Sequence, residues 1–202
     1  MAMQLGQEGL SFSDEGGGFT LKAVSGRGTL SDPFVVVEEV TQQQAVLVIR
    51  GFTEVGNRIG TDHTAGVAVT KVVINRTADV WQSFQLELRQ IEGQHSPYED
   101  GLSFAQNTAI TNAFTTSSFP NIQRFDEPED RLVFSGKSVR PGESAKFTFL
   151  ITDMSPISKF FLVQQPLRPV SGLPATFQGA QAATVQRRIS QISYRWRQKH
   201  QP

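Results

Sequence analysis

The chain has 202 residues, with 19 Lys and Arg against 19 Asp and Glu, and no cysteine. This balance excludes a uniformly basic nucleic-acid binder, and the missing cysteine excludes thiol catalysis, thiolate zinc sites and disulfides. Hydrophobic residues make up 38% and charged residues only 19%, with 17 Gly and 10 Pro, a composition that supports a packed core with many turns over a disordered chain.

In chain order, residues 1–18 contain no apolar run of the length a signal peptide needs. Gly16, Gly17 and Gly18 precede a strand with no helix to aim at a phosphate, so 1–18 reads as a flexible lead-in. Residues 34–40 (FVVVEEV) and 45–50 (AVLVIR) are apolar runs joined by Thr41 to Gln44, and read as a hairpin. Residues 66–75 (GVAVTKVVIN) shift parity near Lys71, which suggests a bulge or a strand buried on both faces. Phe84, Leu86 and Leu88 alternate with Gln85, Glu87 and Arg89, giving one buried and one wet face; Trp81 falls on the wet parity but, just before the regular alternation, reads as folding over the end of the sandwich more than as an exposed binding aromatic. The polar stretch Gln106 to Asn121 reads as a long loop. Leu132 and Phe134, then Phe147, Phe149 and Ile151, form a second predicted hairpin around Arg140-Pro141-Gly142-Glu143, where Pro then Gly suits a type II turn. Residues 159–164 supply a last strand before Pro166 and Pro169 stop the pattern.

Short strands without helical periodicity between them predict an antiparallel β-sandwich of eight or nine strands over 19–165, followed by a linker and tail over 166–202. The fifteen phenylalanines suit core filling. No apolar stretch is long enough to span a membrane.

Four pieces carry a likeness to a known group. They are Asn75-Arg76-Thr77 followed by Trp81 and Phe84; Asp100-Gly101-Leu102-Ser103-Phe104; Asp130-Arg131-Leu132-Val133-Phe134-Ser135-Gly136; and Val139-Arg140-Pro141-Gly142. In this order, over residues 67–166, the chain resembles the extracellular β-sandwich regions of bacterial proteins that carry PEP-CTERM sorting signals. The resemblance implies a secreted or surface sandwich without established chemistry. The apolar helix of those proteins has no counterpart here; Leu173-Pro174-Ala175-Thr176 is followed by Phe177 and is not read as a sorting motif.

No G-x-S-x-G, G-x-x-x-x-G-K-[ST] or H-E-x-x-H motif occurs. His63, beside Asp62, and His95, between Gly93 and Pro97, read as loop residues, and the chain as a non-enzyme. No cofactor is expected beyond calcium, whose candidate ligands are Asp126, Glu127, Glu129 and Asp130, since this ion takes several oxygens from a flexible loop. Glu99 and Asp100 would add ligands if the fold joined the two loops. A carbohydrate ligand would need aromatics to stack on, and Trp81 and Tyr98 are the candidates in the body.

After Asp153 no acidic residue follows, so the last 49 residues carry seven Lys and Arg and the rest of the chain a balancing excess of acid. Val185, Ile189, Ile192 and Trp196 share one face of a predicted helix, with Arg187, Arg188, Arg195 and Arg197 around it. These eight residues are the candidate partner-binding set. Their stripe docks either on the acidic body of the same chain or on a protein partner or second copy, which makes the chain an assembly component of a cell surface or particle; membranes and nucleic acid suit it less well.

Overall fold

A computed structural model of the chain describes residues 2–97, 100–105, 110 and 113–168. Two β-sheets pack face to face around one apolar core, which makes the fold a β-sandwich. The first sheet runs in the order β1 (Gln4–Gln7), β2 (Leu10–Ser13), β5 (Ala45–Arg50), β13 (Lys159–Leu167), β7 (Trp81–Arg89), β11 (Arg131–Val139) and β10 (Asn121–Phe125). The second runs β3 (Phe19–Ser25), β4 (Phe34–Val40), β6 (Ala65–Asn75), β12 (Ser144–Asp153) and β8 (Leu102–Ser103), and β9 (Thr115–Thr116) also pairs with β12. Phe52–Val55 forms a single helical turn, α1.

The longer strands of the body fall where alternation places them, β1, β2 and β8 to β10 are additional to those read from the sequence, and several pairings differ from the sequence expectation. Residues 34–40 and 45–50 are not a hairpin, since β4 and β5 lie in opposite sheets and the link between them crosses the sandwich. The link folds around Gly18, whose carbonyl accepts the Thr41 and Gln42 amides at 2.9 and 3.1 Å. A Cβ at Gly18, where φ is +83°, would sit 2.0 Å from the Gln44 carbonyl oxygen. The glycines read as a flexible lead-in are therefore a fixed corner. Residues before them form β1 and β2, joined by Glu8 and Gly9, both with positive φ as a two-residue hairpin turn of the primed type requires. Phe12 of β2 packs edge-on against Phe34 with ring centres 5.5 Å apart.

The second expected hairpin is also a crossing. Arg140 to Glu143 form the turn, with the Glu143 amide donating to the Arg140 carbonyl at 3.0 Å and Gly142 at φ +84°, yet β11 and β12 lie in different sheets. One pairing departs from the antiparallel expectation, because β4 runs parallel to β6 from Phe34 opposite Val69 to Val40 opposite Asn75. β6 has no bulge. Its ladder with β12 is unbroken from Ala65 to Ile74, and most of the strand is buried on both faces. β13 runs on through Pro166 to Leu167, beyond the expected stop.

Phe147 is the hub of the aromatic core, with Phe84, Phe119 and Phe134 at ring-centre distances of 4.8, 6.0 and 4.7 Å. Trp81 and Phe84 both face this core although three residues apart, because β7 loses its alternation where its pairing with β11 shifts, between Ser135 and Val139.

Deleting residues 2–14 removes Leu10 and Phe12 from the core and uncovers Phe34 and the edge of β5. The expected outcome is a lower urea midpoint of unfolding, whereas removal of a flexible lead-in would leave it unchanged. Phe147→Ala should cost about 3–5 kcal/mol in the same measurement, as for a large aromatic taken from a packed core.

Candidate functional site

The outer face of the first sheet carries a groove of about 650 Å³, lined by Gln85, Glu87 and Arg89 of β7, Arg131 of β11, Gln165 of β13, and His95, Pro128 and Glu129 from loops. Alternation on β7 turns Phe84, Leu86 and Leu88 inward, so Gln85, Glu87 and Arg89 form the floor. Glu87 is buried and holds Arg89 through both oxygens at 2.6 and 2.9 Å, while His95 Nδ1 lies 2.7 Å from Glu87 Oε1. Arg131 pairs with Glu129 and stacks over Phe125 at 4.3 Å. Gln85 donates to Gln165 at 3.5 Å, and Gln165 to Gln44 at 3.0 Å.

Behind the loop wall of this groove lies a buried acidic cluster. Asp130 and Asp153 are 1% and 0% exposed, and together with Asp100 each has an Oδ2 without a hydrogen-bond partner among the described residues. Asp130 follows the cis Glu127–Pro128 bond with positive φ, and its carbonyl accepts the Leu88 amide at 3.0 Å. Asp153 closes β12 opposite Leu102, two residues after Asp100. Burial, then the charges of Asp100 and Glu127, push the Asp130 carboxyl up to about 8. Burial likewise raises Asp153 to about 6, with Asp100 adding to the effect, and raises Asp100 itself.

The calcium candidates thus separate. Asp126 pairs with Arg124 at 2.6 Å and Glu129 with Arg131, so neither carboxylate is committed to the cluster. Asp130 turns inward, and Glu127 is close enough to raise it. Asp100 does join Asp130, as expected if the loops met, and Asp153 is an addition that its position at the end of a regular strand conceals. Among the described residues no three carboxylates or histidines converge as the ligands of one ion would.

Trp81 is not an exposed stacking platform. It is 1% exposed, lies 5.3 Å from Phe84, and donates its indole N–H to Thr77 Oγ1 at 3.1 Å. That hydroxyl in turn donates to Asn75 Oδ1 at 2.7 Å, and Asn75 Nδ2 donates to the Val139 carbonyl at 3.1 Å. His63 is buried and its Nδ1 has no hydrogen-bond partner among the described residues; burial lowers its pKa against the opposing pull of Asp62 and Glu127. Tyr98, Glu99 and the partner-binding set Val185, Arg187, Arg188, Ile189, Ile192, Arg195, Trp196 and Arg197 lie outside the described residues. The groove residues missed by sequence reasoning, Glu87, Arg89 and Arg131, were visible only as the wet face of a strand. The chain matches no protein-family model and no curated protein.

A carboxyl raised by folding holds its proton in the folded state and gives it up on unfolding. Its contribution is therefore full at low pH and is lost as pH rises from the usual 3.8 to about 8. Asp130→Asn should remove this part of the pH dependence, leaving the variant more stable than wild type at pH 8.5 and little changed at pH 4. Thermal unfolding at the two pH values checks this, with each kcal/mol moving the midpoint by about 2–4 °C in a domain of this size.

Proposed function

We propose that the chain is a non-catalytic structural or interaction module, which joins an assembly through its polar groove and its basic C-terminal segment. The observation that carries this reading is the pairing of the groove's side chains: Glu87 with Arg89 and His95, Arg131 with Glu129, and Gln85 with Gln165. Here the charged groups are engaged with each other, and present a neutralised, hydrogen-bonding face that suits a polar protein surface. The resemblance to extracellular sandwich regions supports a surface or particle setting, and the second contact is the apolar stripe expected of Val185, Ile189, Ile192 and Trp196 with the arginines around it. All described strands end before Pro174, so truncation there should leave a folded monomer. Full-length protein should associate in sedimentation velocity, and more weakly as salt rises from about 0.05 to 0.5 M, since the screening length shrinks from about 14 to about 4 Å. Full-length protein that stays monomeric at every concentration and salt level would remove this reading.

A further inference from the structure

Glu38 on β4, Lys71 on β6 and Gln164 on β13 are each 0% exposed. β4 and β6 are neighbours in one sheet while β13 belongs to the other, so the three side chains bridge the interior. Each is in phase with core residues of its own strand: Val36 and Val40, Val69 and Val73, Phe160 and Leu162. Their register neighbours are also apolar, Phe147 and Val36 beside Lys71, Ala45 and Leu86 beside Gln164. One oxygen, Glu38 Oε2, accepts from Lys71 Nζ at 2.6 Å and from Gln164 Nε2 at 3.4 Å. An amine and a carboxamide from opposite sheets are thus held against a single carboxyl group. The remaining oxygens, Glu38 Oε1 and Gln164 Oε1, have no hydrogen-bond partner among the described residues. As a purely stabilising network the trio is incomplete, since each orphaned buried oxygen costs free energy.

We propose that Lys71 and Gln164 become joined by an amide bond between Lys71 Nζ and Gln164 Cδ, with Glu38 as the proton-transfer group, so that the two sheets are covalently cross-linked. Burial drives the chemistry in the required direction, because it lowers Lys71 toward the neutral amine and raises Glu38 toward the carboxylic acid, although each opposes the shift of the other. A neutral, desolvated lysine is a nucleophile. Its lone pair attacks Gln164 Cδ while the Glu38 carboxyl gives its proton to the developing oxyanion; a half-turn of the carboxamide presents Oε1 to that carboxyl. Glu38 then takes a proton from Nζ and passes it to Nε2, the Cδ–Nε2 bond breaks, and ammonia leaves as the hydroxyl returns its proton to Glu38 and the carbonyl re-forms. One amine and one carboxamide give one secondary amide and one ammonia. Nothing is oxidised or reduced, and Glu38 ends as it began. The dry core both activates the amine and shields the product from hydrolysis.

Intact-mass spectrometry of the denatured full-length chain tests this directly. After allowance for removal of Met1, the wild-type mass should fall below that of the sequence by the mass of ammonia, about 17 Da. Tandem spectra of a digest should contain a branched peptide joining the Lys71 and Gln164 segments. Glu38→Gln and Lys71→Met should both restore the full sequence mass and lose the branched peptide. A wild-type chain at full sequence mass overturns the proposal, as does a loss of ammonia with no branch at these two residues. A Glu38→Gln protein that keeps the branch overturns the role of Glu38. Should either variant be recovered only unfolded, the wild-type mass and digest still decide.

Discussion

Lys71 and Glu38 meet at 2.6 Å with neither side chain in contact with solvent, where taking each charge out of water costs several kcal/mol before any attraction is counted. Such groups are tolerated only in one arrangement of the strands that carry them. Lys71 stands level with Val36 and Glu38 with Val73 in the parallel ladder of β4 and β6. A slip of one residue would turn one strand's core-facing set to the other face and leave the partner's polar group alone among Val and Phe side chains. The pair therefore discriminates between registers that the surrounding valines would accept almost equally. It also bears on topology, because parallel neighbours cannot be joined by a tight turn. The chain between them must leave the sheet, and it does so as β5, which becomes a central strand of the opposite layer.

That geometry explains which parts of the fold were legible in the sequence. Alternation in Phe84, Leu86 and Leu88 and the run from Phe147 to Ile151 identified buried faces, because side-chain period is a local property of the strand. Arg140-Pro141-Gly142-Glu143 identified a turn for the same reason. Neither signal says which sheet the chain enters next. A crossing between sheets and a hairpin use similar turn residues, and the choice rests on distant contacts such as the Gly142 amide on the Asn75 carbonyl at 2.7 Å. Lys71 was visible as an interruption in an apolar run. Its partners Glu38 and Gln164 lie 33 and 93 residues away in the chain, and no local pattern connects them.

The candidate site was legible in a narrower sense. The acidic run Asp126 to Asp130 stood out by composition, but composition does not say which carboxylates find a cation. Arg124 and Arg131 flank the run and take Asp126 and Glu129. Asp130, with its carbonyl fixed to the Leu88 amide, has its carboxyl inside. Trp81 falls on the wet parity of strict alternation, but it turns into the core where the β7 to β11 register shifts, in keeping with the reading that it folds over the end of the sandwich. Its hydrogen bond to Thr77, and the links from Thr77 to Asn75 and on to Val139, give these residues a packing role.

The two ends of the β6 and β12 ladder consequently differ in kind. At one, Asn75 satisfies the neighbouring loops, accepting from the Thr77 amide and donating to the Asp79 and Val139 carbonyls at 2.8 and 3.1 Å. At the other, Asp153 and the nearby Asp100 and Asp130 keep oxygens without partners and hold their protons to higher pH than exposed carboxylates do. A fully bonded polar knot responds little to the medium, whereas an under-bonded acidic cluster changes its protonation with pH. The second end is also the one that touches the groove, because Pro128 and Glu129 line it and Asp130 follows them directly. Any change in charge at Asp130 therefore falls next in the chain to the two residues that form this part of the groove wall.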